Sequence, residues 1–298
     1  MGTRTTAGNN FPTNLVNEMF INVQGHSALA KLSAQKPIPF NGETVFTFSG
    51  VGEASIVGEG GNKPAGAATI APKTIHPMKF VYQHRVSNEF VYASEEGRIP
   101  YLQAFADAFS RVIARGLDIA AMHGINPADL ADASFKATNS FDGLVTGNTV
   151  TYVAASVDDN IDAAVQMVLA DGRVVNGIAM SPAAGAALSK IKVNGVPQYP
   201  EYRFGQNPDA FYGMGADING TVSVTGAATG SDTDHVIVGD FQNAFRWGYA
   251  KNIPLEVIEY GDPDGLGDLK RTNEVVLRAE AFIGWGILDA DAFARVKA

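Results

Sequence analysis

Two periodicities organise the chain. Glu43-Thr44-Val45-Phe46-Thr47-Phe48 alternates as a strand and is ended by Ser49-Gly50. Ile75 to Ser87 alternates again, with Met78, Phe80, Tyr82, His84 and Val86 on one face, as a strand buried on one side requires. Between the two lie Gly50, Gly52, Gly58, Gly60, Gly61, Pro64, Gly66 and Pro72, with few large apolar residues among them. Glycine admits unusual backbone angles and proline removes ladder donors, so this section is expected to be a mobile tip between the strands of one long hairpin. A tip of more than about twenty residues is out of place in a compact domain unless something covers it. Another chain is the natural cover.

A period of 3.6 takes over from Ile99 to His123, where Leu102, Phe105, Phe109, Val112, Ile113, Leu117 and Ala120 form one stripe. Pro100 suits the first turn of such a helix and Gly124 its end. At ~1.5 Å per residue it spans roughly 37 Å, and Gly116 inside it marks a close contact or a bend. Ahead of the hairpin, Asn14 to Val23 is a modest amphipathic piece carrying Leu15, Met19 and Val23, and the segment stops at Lys36-Pro37-Ile38-Pro39. It reads as an arm docked on something larger. After the helix, Asn126-Pro127-Ala128-Asp129 starts a turn, and residues 132–156 are polar with weak strand character at Leu144-Val145 and Val150 to Val153.

From Asp158 the texture becomes α/β. Asp158 or Asp159 caps a helix with Ile161, Val165, Val168 and Leu169, which stops at Asp171-Gly172. Val174 to Met180 is an apolar strand, and Ser181-Pro182 opens a second helix that ends near Val193-Asn194-Gly195. Residues 195–220 are loop-rich, with Tyr199, Tyr202, Phe204, Phe211 and Tyr212 interspersed. Strands follow at Thr221–Val224, His235–Val238, Leu255–Tyr260 and Glu274–Phe282, and Asp289 to Phe293 leads out.

Composition removes most chemistry from this picture. Among 298 residues, 22 basic against 31 acidic side chains give a net charge of −9, which argues against phosphate binding as the main task. Cysteine is absent, excluding disulfides, thiolate metal sites and cysteine nucleophiles. No apolar run approaches the ~20 residues of a membrane span, and the polar start lacks the apolar core of a signal peptide. His26, His76, His84, His123 and His235 are scattered without ligand spacing. His84, on the apolar face of its strand, reads as a core or interface residue. Asp262-Pro263-Asp264-Gly265-Leu266-Gly267-Asp268 begins like a calcium loop, but Leu266 replaces an oxygen ligand and Asn273 stands where a bidentate Glu belongs, leaving an acidic turn. Gly58-Glu59-Gly60-Gly61 is followed by neither Lys-Ser/Thr nor a helix start, so it is no phosphate loop, and no Gly-x-Ser-x-Gly elbow occurs. The aromatics of 199–212 have only Arg203 as a cation beside them and suit an interface better than nucleic acid. Catalytic, cofactor-binding and metal-ligating residues are expected to number none.

Taken end to end, the order of elements resembles the major capsid proteins of tailed phages, whose HK97-like fold encapsulin shells share. Val238-Gly239-Asp240-Phe241, followed by Phe245 and Trp247, is similar to a strand end late in the axial domain of those proteins. The strand Val275-Val276-Leu277-Arg278-Ala279-Glu280-Ala281 and the closing Asp291-Ala292-Phe293-Ala294-Arg295-Val296 are similar to their final segments. The resemblance implies an α+β fold with an N-terminal arm (1–39), an extended β-hairpin loop (40–92) and a peripheral domain (93–150) with its spine helix at 99–123. An α/β axial domain (151–255) and returning strands with a C-terminal turn (256–298) would complete it.

The function so implied is a structural protein, not an enzyme. It would assemble through pentamers and hexamers into an icosahedral shell around double-stranded DNA, without sequence-specific binding and without a membrane. Its partners would be further copies of itself, a portal, decoration proteins and a scaffold; its place the virion, after assembly in the host cytoplasm. Many relatives begin with a scaffolding segment of roughly a hundred residues. None precedes this arm, so the scaffold is expected to be a separate protein or a removed segment. Some relatives join a loop lysine to an asparagine of a neighbour; Lys63, Lys73, Lys79 and Asn273 are the residues in reach, and no motif singles one out, so the link is not expected here. Three other readings accompany this one: an encapsulin-type compartment, an α/β enzyme using the region 158–260 with the hairpin as a lid, and a surface adhesin or tail-tube subunit, for which the long helix is awkward.

Overall fold

The computed structural model describes residues 27–49, 55–63, 65, 69–89, 95–223, 234–251 and 255–298. The amphipathic piece Asn14 to Val23, His26, and Gly50, Gly52, Pro64, Gly66 and Val224 lie outside them.

A five-residue helix, α1 (Ala28–Leu32), is capped by Ser27, whose Oγ accepts from the Ala30 amide. Next come β1 (Glu43–Ser49) and β2 (Thr69–Ile75), an antiparallel ribbon in register from Glu43 opposite Ile75 to Ser49 opposite Thr69. The return strand is therefore Thr69–Ile75, where the sequence suggested the run from Ile75 to Ser87. That run is a separate strand, β3 (Met78–Ser87), in another sheet. His76-Pro77 divides them, because proline lacks the donor that would continue the ladder. Pro72 lies inside β2 opposite Phe46; each strand of a two-stranded ribbon is an edge, and edges tolerate proline.

The long helix, α2 (Glu95–His123), starts a turn earlier than Ile99, so Pro100 falls in its second turn. It stops where Gly124 takes φ +63° and donates to Ala120 O at 3.0 Å. Phe105, Phe109, Ile113, Leu117 and Ala120 are buried as the stripe requires, but Val112 is exposed. Gly116 is a close contact: a Cβ there would lie 3.2 Å from the Phe80 ring. Two one-turn helices follow, α3 (Lys136–Asn139) and α4 (Phe141–Leu144). Leu144 is thus helical, held by the Ser140 cap, and the strand of this region is β4 (Thr149–Thr151).

The α/β stretch runs α5 (Val157–Ala170), β5 (Gly177–Met180) and α6 (Pro182–Leu188), the last opened by Ser181 with Pro182 in its first turn. α6 ends well before Val193. Asn194 and Gly195, both at positive φ, instead turn the hairpin of β6 (Lys192–Val193) and β7 (Val196–Pro197). Within the region read as loop lie β8 (Ala210–Phe211) and β9 (Met214–Ile218), whereas residues 221–223 form a turn and no strand. Gly215 and Asp217 inside β9 hide its pattern. Then follow β10 (Asp234–Gly239), β11 (Phe245–Lys251), β12 (Leu255–Ile258), α7 (Leu269–Thr272), β13 (Glu274–Ile287) and β14 (Phe293–Lys297).

Two main sheets result. In one, β13 pairs with β3 along its first ten residues and, on its other side, with β12 and then β11. The helix α2 packs on this sheet, with Tyr82 and Phe105 stacked at 5.9 Å. The other sheet has the order β4-β14-β10-β5-β9-β8. Its alternate residues enter two cores: Ala179, Ile237 and Phe293 face the α2 side, while Ile178, Val236, Val238 and Val296 pack with α5 and α6. Sheet membership cuts across the division at 151 and 255, since β11 pairs with β13 and the terminal β14 with β10.

Phe109 is fully buried in the core under α2. Phe109→Asp places an unpaired charge there and is expected to abolish folding; a circular dichroism melt matching the wild type would show that this face is misassigned.

Candidate assembly surface and the junction behind it

The ribbon of β1 and β2 is firmly rooted and largely uncovered. At its root, Ile38 and Ile75 are buried over Gly284 and Gly286 of β13, where added Cβ atoms would come within 3.0 Å of their side chains. Lys36 and Ile38 donate to Trp247 O (2.9 Å) and Tyr249 O (3.3 Å), and Gly248 must lack a side chain because Lys36 O occupies that space. Glu43 pairs with Arg246 at 2.8 Å. Beyond the root, Thr44, Phe46, Ile70, Pro72 and Thr74 share one exposed face, with Phe46 62 % and Ile70 56 % accessible. Farther out, Ile56 is fully exposed, and Gly58 O accepts from Gly61 N in the turn that follows it. A two-stranded ribbon with an apolar face has little stability of its own and suits coverage by a partner. On the opposite face Lys73 is half-buried, and burial lowers its pKa.

A second apolar surface lies at the far end of the six-stranded sheet. Tyr199, Tyr202 and Phe211 are buried against one another, but Phe204 (91 %) and Tyr212 (75 %) stand in solvent. Both have positive φ, +60° and +48°, a conformation unfavourable for aromatic residues. The exposed Val193 and Val196 of the β6–β7 hairpin connect to the same region through Gln198 N, which donates to Ile191 O at 3.0 Å. The aromatic stretch thus divides into a packed half and a displayed half.

Buried polar groups join the two sheets. Arg295, on β14, is 1 % exposed, and all five of its N–H groups are engaged. Nε meets Asp234 at 2.9 and 3.0 Å, Nη2 meets Asp142 Oδ1 at 2.7 Å and Asp234 Oδ1 at 2.9 Å, and Nη1 donates to the Asp142 and Val145 carbonyls, each at 3.2 Å. His123, the last residue of α2, has Nδ1 3.2 Å from Asp142 Oδ2 and Nε2 2.8 Å from Thr221 O. Burial is the largest single influence and works against the charged ring, but Asp142, Asp234 and the Thr221 carbonyl together outweigh it and raise the His123 pKa. Burial likewise pushes Asp142 upward, yet His123 and Arg295 hold it below the usual carboxylate range. Asp234 is pushed up by burial despite Arg295.

His123, Asp142 and Asp234 lie close enough to cage a cation. The guanidinium of Arg295 already fills that role, and both ring nitrogens of His123 are spoken for, so the donor set does not fit a metal. One and a half turns earlier, the fully buried Asp118 accepts from Ser27 Oγ, Ala28 N (2.9 Å), Leu29 N (3.3 Å) and Thr221 Oγ1 (2.8 Å). Its pKa is raised to about 6 by burial, against the pull of these four donors. Sequence spacing could not reveal this cluster, whose bonded partners lie 19 to 153 residues apart.

The other candidates are accounted for locally. The acidic turn after β12 is held by Arg85, whose Nε lies 2.7 Å from Asp264 and Nη1 2.9 Å from Glu274; the pairing draws Asp264 down to about 2. His84 shares a face with Met78, Phe80, Tyr82 and Val86 but is exposed in the single chain, where those four pack on the core. His235 stacks on Tyr152 at 3.7 Å and meets Ser181 Oγ at 3.2 Å, with Ser181 closed off from solvent. Asn273 ends α7 in the left-handed conformation and accepts from Asn88. Among the described residues no helix is long and apolar enough to cross a membrane.

The profile of the phage capsid family matches residues 7–298. The chain belongs to that family. A solved chain of Mycobacterium phage Ogopogo is 36 % identical with a TM-score of 0.78, over 91 % of this chain and 92 % of that one. One of Gordonia phage Cozz is 27 % identical with a TM-score of 0.75, over 91 % and 86 %. The capsid of a native GTA particle, computed with C5 symmetry, shares the fold at 14 % identity and a TM-score of 0.62, over 100 % and 94 %. No curated protein matches. The expected resemblance is thereby shown, and the chain is a phage shell protein, structural in kind.

Arg295→Met leaves the buried Asp142 and Asp234 with His123 as their one remaining cation and is expected to cost about 3–5 kcal/mol in chemical denaturation. For Asp118 the folded pKa exceeds the unfolded one, so the fold prefers the neutral acid. Wild type should gain stability relative to Asp118→Asn, by roughly 2–3 kcal/mol, as pH falls from 7 to 4. Denaturation curves at the two pH values check it; a constant difference would contradict the burial of an ionised carboxyl.

Proposed function

We propose that this family member is the major capsid protein of a tailed phage, assembling through pentamers and hexamers into an icosahedral container for double-stranded DNA. The observation that carries the reading is the family match over nearly the whole chain, joined to a rooted ribbon whose apolar face the chain itself leaves open. In this reading the ribbon is the extended loop and lies over a neighbouring subunit. The sheet carrying β13, with α2 as its spine helix, is the peripheral domain. The six-stranded sheet is the axial domain, and its displayed Phe204 and Tyr212 lie toward a symmetry axis.

Many weak copies of one contact suffice in a closed shell, because symmetry repeats each of them and suppresses open-ended growth. The net charge of −9 suits a wall that holds DNA without gripping it. Assembly in the host cytoplasm, a scaffolding protein, a portal and decoration proteins belong to the same proposal.

Negative-stain microscopy of the purified protein tests it: closed particles or capsomers are expected, and a monodisperse monomer would count against it. Phe46→Asp, and replacement of residues 50–68 by an Asn-Gly turn, should each leave a folded subunit with Tm within a few °C of wild type. Both should reduce particle yield at least about tenfold, since ~1.4 kcal/mol lost per contact already does so. Normal yields from both would remove the ribbon from the assembly surface.

A further inference from the structure

One buried line of hydrogen bonds crosses the molecule. It starts at Ser27 and Ala28, passes through Asp118 to the Thr221 hydroxyl, leaves by the Thr221 carbonyl to His123, and continues through Asp142 and Arg295 to Asp234. It joins the N-terminal segment, the end of α2, the turn after β9, α4, β14 and β10. His123 is the link most sensitive to a proton. Its two neighbours are a carbonyl oxygen at Nε2 and a carboxylate at Nδ1, which only accept, so both bonds need both ring N–H groups. A neutral imidazole has one.

We propose that His123 is a protonated latch: as imidazolium it fastens the 219–223 turn and α4 to the end of α2, and on losing its proton it releases one of them and loosens the junction between the two sheets. The proposal concerns the single chain and stands whether or not the ribbon tiles a shell.

The groups around the ring favour the charged form. Asp142 faces it from α4 and Asp234 from β10, both shared with Arg295 of β14. Asp118 lies on the same helix, and Lys136 of α3, close behind Gly124, carries its charge to Asp132 at 2.7 Å. With His123 protonated, two cations balance Asp142 and Asp234. The carbonyl end of α2 adds its own preference for positive charge. Burial lowers the pKa of the ring, but Asp142, Asp234 and the Thr221 carbonyl together raise it above its ordinary 6.5. A raised value gives a stabilising contribution that is complete below 6.5 and lost as pH climbs through the folded-state value.

Two measurements test the latch. In ¹⁵N-histidine magic-angle-spinning spectra, which serve particles and free subunits alike, His123 should keep both nitrogens protonated above pH 6.5, the ordinary histidine value. Thermal melts from about pH 6 upward should show wild type losing more Tm per pH unit than His123→Gln, by at most about 2 °C per unit for one proton in a chain of this size. His123→Arg, which keeps the charge, should flatten the same slope. A His123 ring that titrates at or below 6.5 overturns the proposal, and so does an unchanged slope in a folded His123→Gln. If that variant fails to fold, the spectra of the wild type decide alone.

Discussion

A strand of fourteen residues can organise more than one neighbour at a time, and β13 does so. Its first ten residues hold β3, its other side holds β12 and then β11, and its glycines take the side chains of Ile38 and Ile75. Val275, Val276, Leu277, Ile283, Trp285 and Ile287 are buried, while Glu274, Arg278, Glu280 and Phe282 stand half-buried along one face. The position of α2 follows, since it packs against β3 and β13 together. So does the direction in which the ribbon leaves the body, because its root is fixed against the same strand.

The junction of the two sheets is built on a different principle. Apolar contact there would have sufficed for stability, and buried ion pairs of this kind often add little over well-packed hydrophobic residues. What they add is exacting geometry, since a guanidinium with five engaged donors tolerates little displacement of the carbonyls and carboxylates around it. The junction therefore fixes how β14, β10, α4 and the end of α2 meet.

Local elements with strong periodicity could be read from the sequence. The stripe from Phe105 to Ala120, the Gly124 stop, the Ser181-Pro182 start and the strand before it are each set by near neighbours. The ribbon was visible as to its place, but its return strand was missed, because Thr69-Ile70-Ala71-Pro72-Lys73-Thr74 carries a proline that marks a loop in any wider sheet. β9 was hidden by Gly215 and Asp217, whose tolerance depends on partners far along the chain. Asn194-Gly195 has the pattern of a helix stop and forms a hairpin turn, because both uses rest on the same left-handed backbone. The junction was not legible. Its residues come from segments whose approach is decided only when both sheets have formed, and Arg295 and Asp234 look like surface charges in a strand pattern.

The ribbon behaves as a lever with a short fulcrum. Seven residues at ~3.3 Å each carry it about 23 Å past the two isoleucines and the glycines beneath them. A tilt of about 10° at that base swings the far end by roughly 4 Å, the width of a methyl-to-methyl contact. Angular precision over the whole reach of the ribbon is thus decided by a few atoms at its foot, and a single added methyl at Gly284 or Gly286 would re-aim everything beyond.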